Sequence, residues 1–197
     1  GYFEDVAFIR LHQSMLSALG QHPSGHELPL ERQHAPTPEM TARLADFVDA
    51  RRQRTAWGWK DPRSCLLLDL YRTACPDARY LVVLRDFAPI VHSLVRRERV
   101  LQSRWAPWAR GKVLRSLLQR HHERKFTDHY LAVISRYFGE LLNHLATCPD
   151  RCVVLELDRF EASAEALSGA LAKLGVTLNP VHVTDVLRPT ELSVRQD

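Results

Sequence analysis

The stretch Tyr80-Leu81-Val82-Val83-Leu84-Arg85-Asp86 decides the class of fold. Its five apolar residues, two of them β-branched, predict a short strand that is buried on both faces, as in a parallel sheet. A helix is predicted over residues 89–100, and a second buried strand at Cys152–Leu157. Strands that alternate with helices indicate an α/β layered fold with a parallel sheet flanked by helices. Ligands of such sheets bind at the carboxyl ends of the strands, where Arg85 and Asp86 lie.

The rest of the chain is predicted to be mostly helical. Apolar residues recur at three- and four-residue steps, which predicts helices over Glu4–Leu19, residues 38–54, Ser64–Thr73, Gly111–Ala146 and Ser163–Leu174. The long helix in the second half is expected to break near Thr127. A proline-rich segment at Gln21–Pro38 predicts a loop, and Trp57–Lys60 is expected to be extended. The second half is therefore helix-rich.

Length and composition indicate one globular domain over residues 1–197, with 45% hydrophobic and 25% charged residues. The longest apolar runs have four or five residues, far below the roughly 18 that a bilayer span needs. Four cysteines stand at spacings that match no zinc pattern: Cys65, Cys75, Cys148 and Cys152. Cys148 and Cys152 flank a Pro-Asp turn and could be close in space. Reduced thiols are favoured, so we expect a cytoplasmic protein without a metal.

Positive charge is concentrated in the segment Arg96–Lys125, whose net charge is +8, whereas the remainder of the chain carries −4. Such a segment suggests a specific anionic partner, and a solvated helix face explains it equally well. A nucleic-acid-binding helical protein is therefore one alternative function. Only two tryptophans accompany the segment, Trp105 and Trp108, so we expect no nucleic-acid partner.

The motif Trp59-Lys60-Asp61-Pro62-Arg63 is a candidate anion site. Lys60 and Arg63 flank a turn that opens a helix, and two cations beside a helix N-terminus favour an anion. Lys60 is one of only four lysines against 23 arginines. A surface loop with an Asp-Pro helix start is the alternative interpretation.

A second candidate site follows the first predicted strand. Arg85 stands at the strand end, and Ser93 lies eight residues further, about two turns into the next helix. The guanidinium offers a planar fork of donors to a phosphate, and a serine hydroxyl adds another bond. An Arg85–Asp86 surface pair and an ordinary helix serine would explain the same residues. The strand-to-helix context favours phosphate binding.

The run from Trp57 to Arg97 resembles the sulfotransferases that use 3′-phosphoadenosine 5′-phosphosulfate (PAPS). It is similar to the bacterial enzymes and to the tyrosylprotein sulfotransferases, which share the Val-His-Ser at Val91–Ser93. The resemblance implies a P-loop-NTPase-like sulfotransferase fold with PAPS as co-substrate and no metal. It implies that Arg85 and Ser93 bind the 3′-phosphate. It also implies that Lys60, with Arg63, stabilises the sulfuryl group in flight.

The opening segment Gly1-Tyr2-Phe3-Glu4-Asp5 resembles the start of the helix that follows the phosphosulfate loop in the bacterial relatives. That resemblance makes Glu4 the candidate general base for the acceptor hydroxyl. Asp5 and His12 are reserve candidates. Glu4 and Asp5 would also complement a helix dipole without any catalytic role.

The Gly-, Ser- and Thr-rich phosphosulfate loop of that family has no match in the sequence. We therefore expect a single sulfotransferase-like domain that is missing its first strand-loop-helix unit. The expected function is sulfuryl transfer from PAPS to an acceptor hydroxyl whose identity stays open. A non-catalytic nucleotide- or anion-binding module is the alternative from another class.

Overall fold

The computed structural model describes residues 5–52, 57–105, 112–157 and 164–176, with side chains described except at residues 99, 101–123 and 164–166. Within these residues the chain forms six α-helices and two strands. In chain order they are α1 (Val6–Ala18), α2 (Pro38–Asp49), α3 (Leu68–Ala74), β1 (Tyr80–Leu84), α4 (Phe87–Trp105), α5 (Lys112–Thr147), β2 (Cys152–Glu156) and α6 (Ala164–Lys173). Two 3-10 helices, Pro62–Leu67 and Pro149–Arg151, precede α3 and β2.

The two strands pair in parallel, as the sequence predicts. The register runs from Tyr80 opposite Cys152 to Leu84 opposite Glu156. The Leu157 amide also donates to the Leu84 carbonyl at 2.8 Å, just beyond the strand. Parallel strands need a long crossover connection, and α4 and α5 lie between β1 and β2 in the chain. The described residues therefore form a helix-rich α/β fold with a small parallel sheet.

The prediction that β1 is buried on both faces is wrong, and β2, predicted as a second buried strand, is only partly buried. In β1 only Val82 is buried, at 6% exposure, whereas Leu81 is 37% and Val83 53% exposed. In β2, Val154 is 42% exposed. Successive side chains point to opposite faces of a sheet, so in β1 the face of Val82 is covered and the face of Leu81 and Val83 is open. Val154 pairs with Val82 and lies on the same face, so that face is not covered at β2. Apolarity of the run alone could not distinguish the two arrangements.

The main core lies between α1, α2, α3 and the 3-10 helix Pro62–Leu67, with α5 packed against it. Its fully buried side chains include Leu16, Leu44 and Leu67. Asp5 caps α1 by accepting from the Ala7 amide at 2.8 Å, and Thr37 caps α2. A second cluster, built on Val91, Tyr130 and Ile134, joins α4 to α5. None of the described helices combines the length and the apolar character needed to cross a membrane.

Most predicted elements exist, with boundaries that differ. Helix α2 ends at Asp49, five residues before the predicted end, and the third helix starts as a 3-10 turn at Pro62. Residues 57–60 are irregular rather than strand-like. Helix α5 continues through Thr127 without the predicted break, because one threonine with no adjacent Gly or Pro costs little in a helix. The segments 106–111 and 177–197 lie outside the described residues.

Candidate functional site

The turn at residues 60–63, here called the Lys60 turn, is built around the carboxylate of Asp61. Asp61 Oδ1 accepts from the Arg63 amide at 3.0 Å and from Arg63 Nε at 2.9 Å. Pro62 occupies the first position of the 3-10 helix, where its missing N–H costs nothing. Arg63 is therefore ion-paired within the turn, and the Lys60 side chain is exposed.

A chain of buried hydrogen bonds connects the Lys60 turn to α1 and α3. His12 Nδ1 lies 2.7 Å from Asp61 Oδ2, and His12 Nε2 lies 2.5 Å from the Tyr71 hydroxyl. A neutral His12 that carries its proton on Nδ1 satisfies both contacts, because the Tyr71 hydroxyl then donates to Nε2. Burial alone would raise the pKa of Asp61, but the hydrogen bonds from His12 and Arg63 outweigh it and hold that pKa at about 2. Asp61 thus stays ionised.

This chain corrects the interpretation of His12 as a reserve general base. The Asp61–His12–Tyr71 order resembles a catalytic triad, yet His12 is fully buried and Tyr71 is 1% exposed. Burial raises the pKa of the Tyr71 hydroxyl, which keeps it protonated. A substrate hydroxyl cannot reach either group, so His12 positions Asp61 and does not act on an acceptor.

Aromatic side chains fix the backbone just before Lys60. Trp59 stacks on Phe8 of α1 with ring centroids 4.5 Å apart and an angle of 6° between the rings. Trp57 stacks on Trp59 at 5.5 Å. The Arg51 guanidinium lies 3.8 Å from the centroid of the Phe47 ring, beside the same group. The irregular segment before Lys60 is therefore anchored by packing instead of by strand pairing.

The second predicted site has the expected strand-to-helix context. Arg85 follows β1 directly and is partly buried, and α4 begins two residues later at Phe87. Ser93 lies on α4 and is exposed, as is Asp86. These residues lie at the carboxyl end of β1, which is the edge of a parallel sheet where ligands bind.

Arg63 of the Lys60 turn and Arg97 of α4 both act on His26, in the loop between α1 and α2. Burial lowers the pKa of His26, and the positive charges of Arg63 and Arg97 lower it further. The His26 carbonyl lies 2.7 Å from His129 Nε2 of α5. Arg63 from the Lys60 turn and Arg97 from α4 thus share one neighbourhood.

Sequence reasoning missed the part played by this loop. It assigned the segment Gln21–Pro38 no role, although Gly25 is buried and takes a positive φ of 71°. The Tyr137 hydroxyl of α5 donates to the Gly25 carbonyl at 2.9 Å. The Pro- and Gly-rich composition was the available signal for a sharply folded loop, but it does not show which elements the loop joins.

Some of the remaining candidate residues lie among the described residues, and others lie outside them. Glu4, the predicted general base, lies outside the described residues. Asp5 caps α1 and lies 3.9 Å from Arg51, so its carboxylate is engaged in structure. In the basic segment, Arg96, Arg97, Arg124 and Lys125 are exposed. Its central side chains lie outside the described set.

Comparison with known proteins gives no assignment. No protein-family model matches the chain, and no curated protein or solved structure matches it significantly.

Proposed function

We propose that this chain transfers a sulfuryl group from PAPS to an acceptor hydroxyl, in a sulfotransferase variant of the P-loop-like fold. The observation that carries the proposal is the presence of two cationic features in this chain: a strand-end arginine, Arg85, and the Lys60 turn, which the contacts of Asp61 hold in place. Both features belong to the run of sequence that resembles the PAPS-dependent enzymes. The four cysteines are free thiols, which suits a reducing, cytoplasmic compartment.

In the proposed mechanism each residue has a distinct task. Arg85 and Ser93 bind the 3′-phosphate and so distinguish PAPS from nucleotides that lack it. Lys60 stabilises the charge that develops on the sulfuryl oxygens and on the bridging oxygen during in-line transfer. Arg63 supports the same charge while it remains paired with Asp61. Glu4 takes the proton of the acceptor hydroxyl.

The buried Asp61–His12 pair supports this division of labour. Electrostatic catalysis requires a cation that is held in place before the reaction, because a cation that must still move during the transfer makes the reaction slower. Asp61 is fixed by three contacts from His12 and Arg63, and Lys60 is its neighbour in the chain. The network would thus restrict the backbone from which Lys60 extends.

Titration with 3′-phosphoadenosine 5′-phosphate tests nucleotide binding directly. Arg85→Ala should weaken binding by about 10- to 100-fold, the usual worth of a charge-assisted contact. Arg79→Ala is the matched control, because Arg79 is exposed just before the other end of β1. It should bind as the unmodified chain does. Equal affinities in all three proteins would overturn the assignment of Arg85.

Transfer is measured separately, with labelled PAPS and a panel of sugar, phenol and alcohol acceptors. Glu4→Gln should lower turnover by about 10²- to 10⁴-fold with unchanged nucleotide affinity, since general-base catalysis contributes that much. Tight binding of the nucleotide with no transfer to any acceptor would instead identify a non-catalytic binding module. Absence of nucleotide binding would exclude both.

A further inference from the structure

A histidine and two cysteines lie together where α5 passes into β2. One side-chain atom from each of His144, Cys148 and Cys152 lies within 4.8 Å of the other two. Cys148 Sγ is 3.3 Å from His144 Nε2. For tetrahedral zinc, bond lengths near 2.3 Å to sulfur and 2.0–2.1 Å to nitrogen require ligand separations of roughly 3.6 Å for N to S and 3.8 Å for S to S. The 3.3 Å separation of Cys148 Sγ and His144 Nε2 is near the first of these values. The same sulfur lies 3.7 Å from His144 Nδ1, so it faces the ring, and a bound ion would require the imidazole to turn.

Local backbone structure explains why the three residues meet. His144 and Cys148 are four residues apart at the end of α5, so they occupy the same helix face. Cys148 is also the N-cap of the 3-10 helix Pro149–Arg151, and that single turn leads directly to Cys152 at the start of β2. The spacing is thus His-x3-Cys-x3-Cys. The spacing of the cysteines alone gave no metal signal, because the third ligand is a histidine within a helix.

We propose that His144, Cys148 and Cys152 form a binding site for a thiophilic, tetrahedral divalent ion of the zinc class, with one coordination position left for water. Thiolate and imidazole ligands are the donors that such ions prefer. The site is enclosed, since His144 and Cys148 are buried and Cys152 is partly buried. This proposal is independent of the proposed sulfuryl transfer.

The charges of the three ligands would match that of a bound divalent ion, although Arg72 and Arg151 lie nearby. Two thiolates carry two negative charges and a neutral imidazole carries none, so together they would neutralise a 2+ ion. Burial lowers the pKa of His144, and the nearby Arg72 and Arg151 lower it further, which favours the neutral imidazole. The Tyr80 ring packs edge-on against His144 with centroids 4.3 Å apart. Burial and the neighbouring Cys148 raise the pKa of Cys152, so a metal ion would have to displace its proton.

The site is remote from the proposed nucleotide site. Tyr80 and Cys152 begin the two strands, whereas Arg85 follows the carboxyl end of β1. Five residues of extended chain separate the two edges by roughly 16 Å. A metal here would tie the end of α5 to the sheet. A disulfide between Cys148 and Cys152 is the competing outcome, and the contact with His144 is what favours the metal.

The test uses the full 197-residue chain, reduced and freed of metal, and titrated with Co²⁺ as a spectroscopic probe. We expect one equivalent to bind with a thiolate-to-cobalt charge-transfer band, and Zn²⁺ to displace it. Loss of a residue that only hydrogen-bonds a metal ligand typically weakens metal binding by about 10- to 100-fold. Cys148→Ser and Cys152→Ser each remove a proposed ligand itself, so each should weaken binding by more than that. The Cys65→Ser/Cys75→Ser double variant is the matched control and should keep the band.

A second measurement requires no variant, in case a substitution prevents folding. Zn²⁺ should slow alkylation of Cys152 by at least tenfold. Cys65 is the control, because it is also partly buried but is not a proposed ligand, and its alkylation rate should not change. A charge-transfer band that survives in either Cys148→Ser or Cys152→Ser would overturn the proposal. So would the absence of stoichiometric binding, or a Cys148–Cys152 disulfide that forms in place of the metal complex.

Discussion

His12 and Asp61 are 49 positions apart in the chain, yet His12 Nδ1 lies 2.7 Å from Asp61 Oδ2 in the interior of the protein. The contact ties α1 to the Lys60 turn, and the Tyr71 hydroxyl extends it into α3. The Lys60 turn, α1 and α3 are therefore linked by one chain of hydrogen bonds that ends at the Asp61 carboxylate. Its ionisation should influence both the stability of the fold and the position of Lys60.

Asp61→Asn should remove part of the acid sensitivity of the fold. The pKa of Asp61 is about 2 in the folded chain and 3.8 without the fold. The unfolded chain binds the proton first, so this group stabilises the fold above about pH 4, and the stabilisation is lost as pH falls toward 2. At neutral pH the variant should lose about 2 kcal/mol, the equivalent of this pKa difference. Urea unfolding from pH 7 to pH 3 measures both effects.

Asp69→Asn is the control for that experiment. Asp69 pairs with Arg32, but its side chain is 39% exposed, so solvent screens the pair. Burial alone would raise the pKa of Asp69, but the hydrogen bond from Arg32 outweighs burial and lowers that pKa. Its substitution should cost less than that of Asp61. An unchanged slope of stability against pH in Asp61→Asn would contradict the role assigned to the buried pair.

The sequence predicted local features better than this long-range contact. The run Tyr80–Leu84 identified β1 because five apolar residues between turn signals leave few alternatives. Thr37 and Pro38 identified the start of α2 for the same local reason. The His12–Asp61 pair depends on how α1 packs against a distant turn. A periodic pattern along one helix does not contain that information, and His12 was therefore interpreted as a reserve base.

The open face of β1 was missed for a related reason. A run of five apolar residues fits a strand covered on both faces and a strand covered on one. The exposed fractions of Leu81 and Val83 decide between them, and they depend on what packs above the sheet. In the candidate site, the strand-end position of Arg85 followed from the sequence. The effect of Arg63 and Arg97 on His26 did not, because the loop that carries His26 has no periodic pattern.

Gly25→Ala should destabilise the fold and disturb Arg63. Gly25 has a φ of 71°, and an added Cβ would lie 2.7 Å from the Tyr137 hydroxyl and 2.9 Å from Arg63 Cγ. Left-handed backbone costs a non-glycine residue roughly 1–2 kcal/mol, and overpacking adds to it. We expect a loss of about 2 kcal/mol or more by chemical denaturation. Gly139→Ala is the control: it has open space within 4 Å on α5 and should be neutral or slightly stabilising. Equal stability of the two variants would refute the packing argument.

Lys60→Ala should separate turnover from binding if the proposed function holds. Lys60 extends from the anchored turn, and its proposed role is to stabilise charge that exists only during transfer, so its loss should lower kcat. We expect turnover to fall by about 10²-fold or more, with the affinity for 3′-phosphoadenosine 5′-phosphate changed by less than about threefold. Lys173→Ala, which removes an exposed lysine at the end of α6, should alter neither quantity. A drop in affinity as large as the drop in turnover would reassign Lys60 to ground-state binding.

Arg85 and Ser93 can be tested as a pair, because both are proposed to hold the same phosphate. Arg85→Ala and Ser93→Ala should each weaken binding of 3′-phosphoadenosine 5′-phosphate but leave the weaker binding of adenosine 5′-phosphate unchanged, since that nucleotide lacks the 3′-phosphate. The double variant should lose less than the sum of the two single losses, as is usual for two groups that share one partner. Calorimetric titration of the four proteins with both nucleotides gives the coupling. Equal losses for the two nucleotides would show that these residues do not recognise the 3′-phosphate, and additive losses would show that they act at separate places.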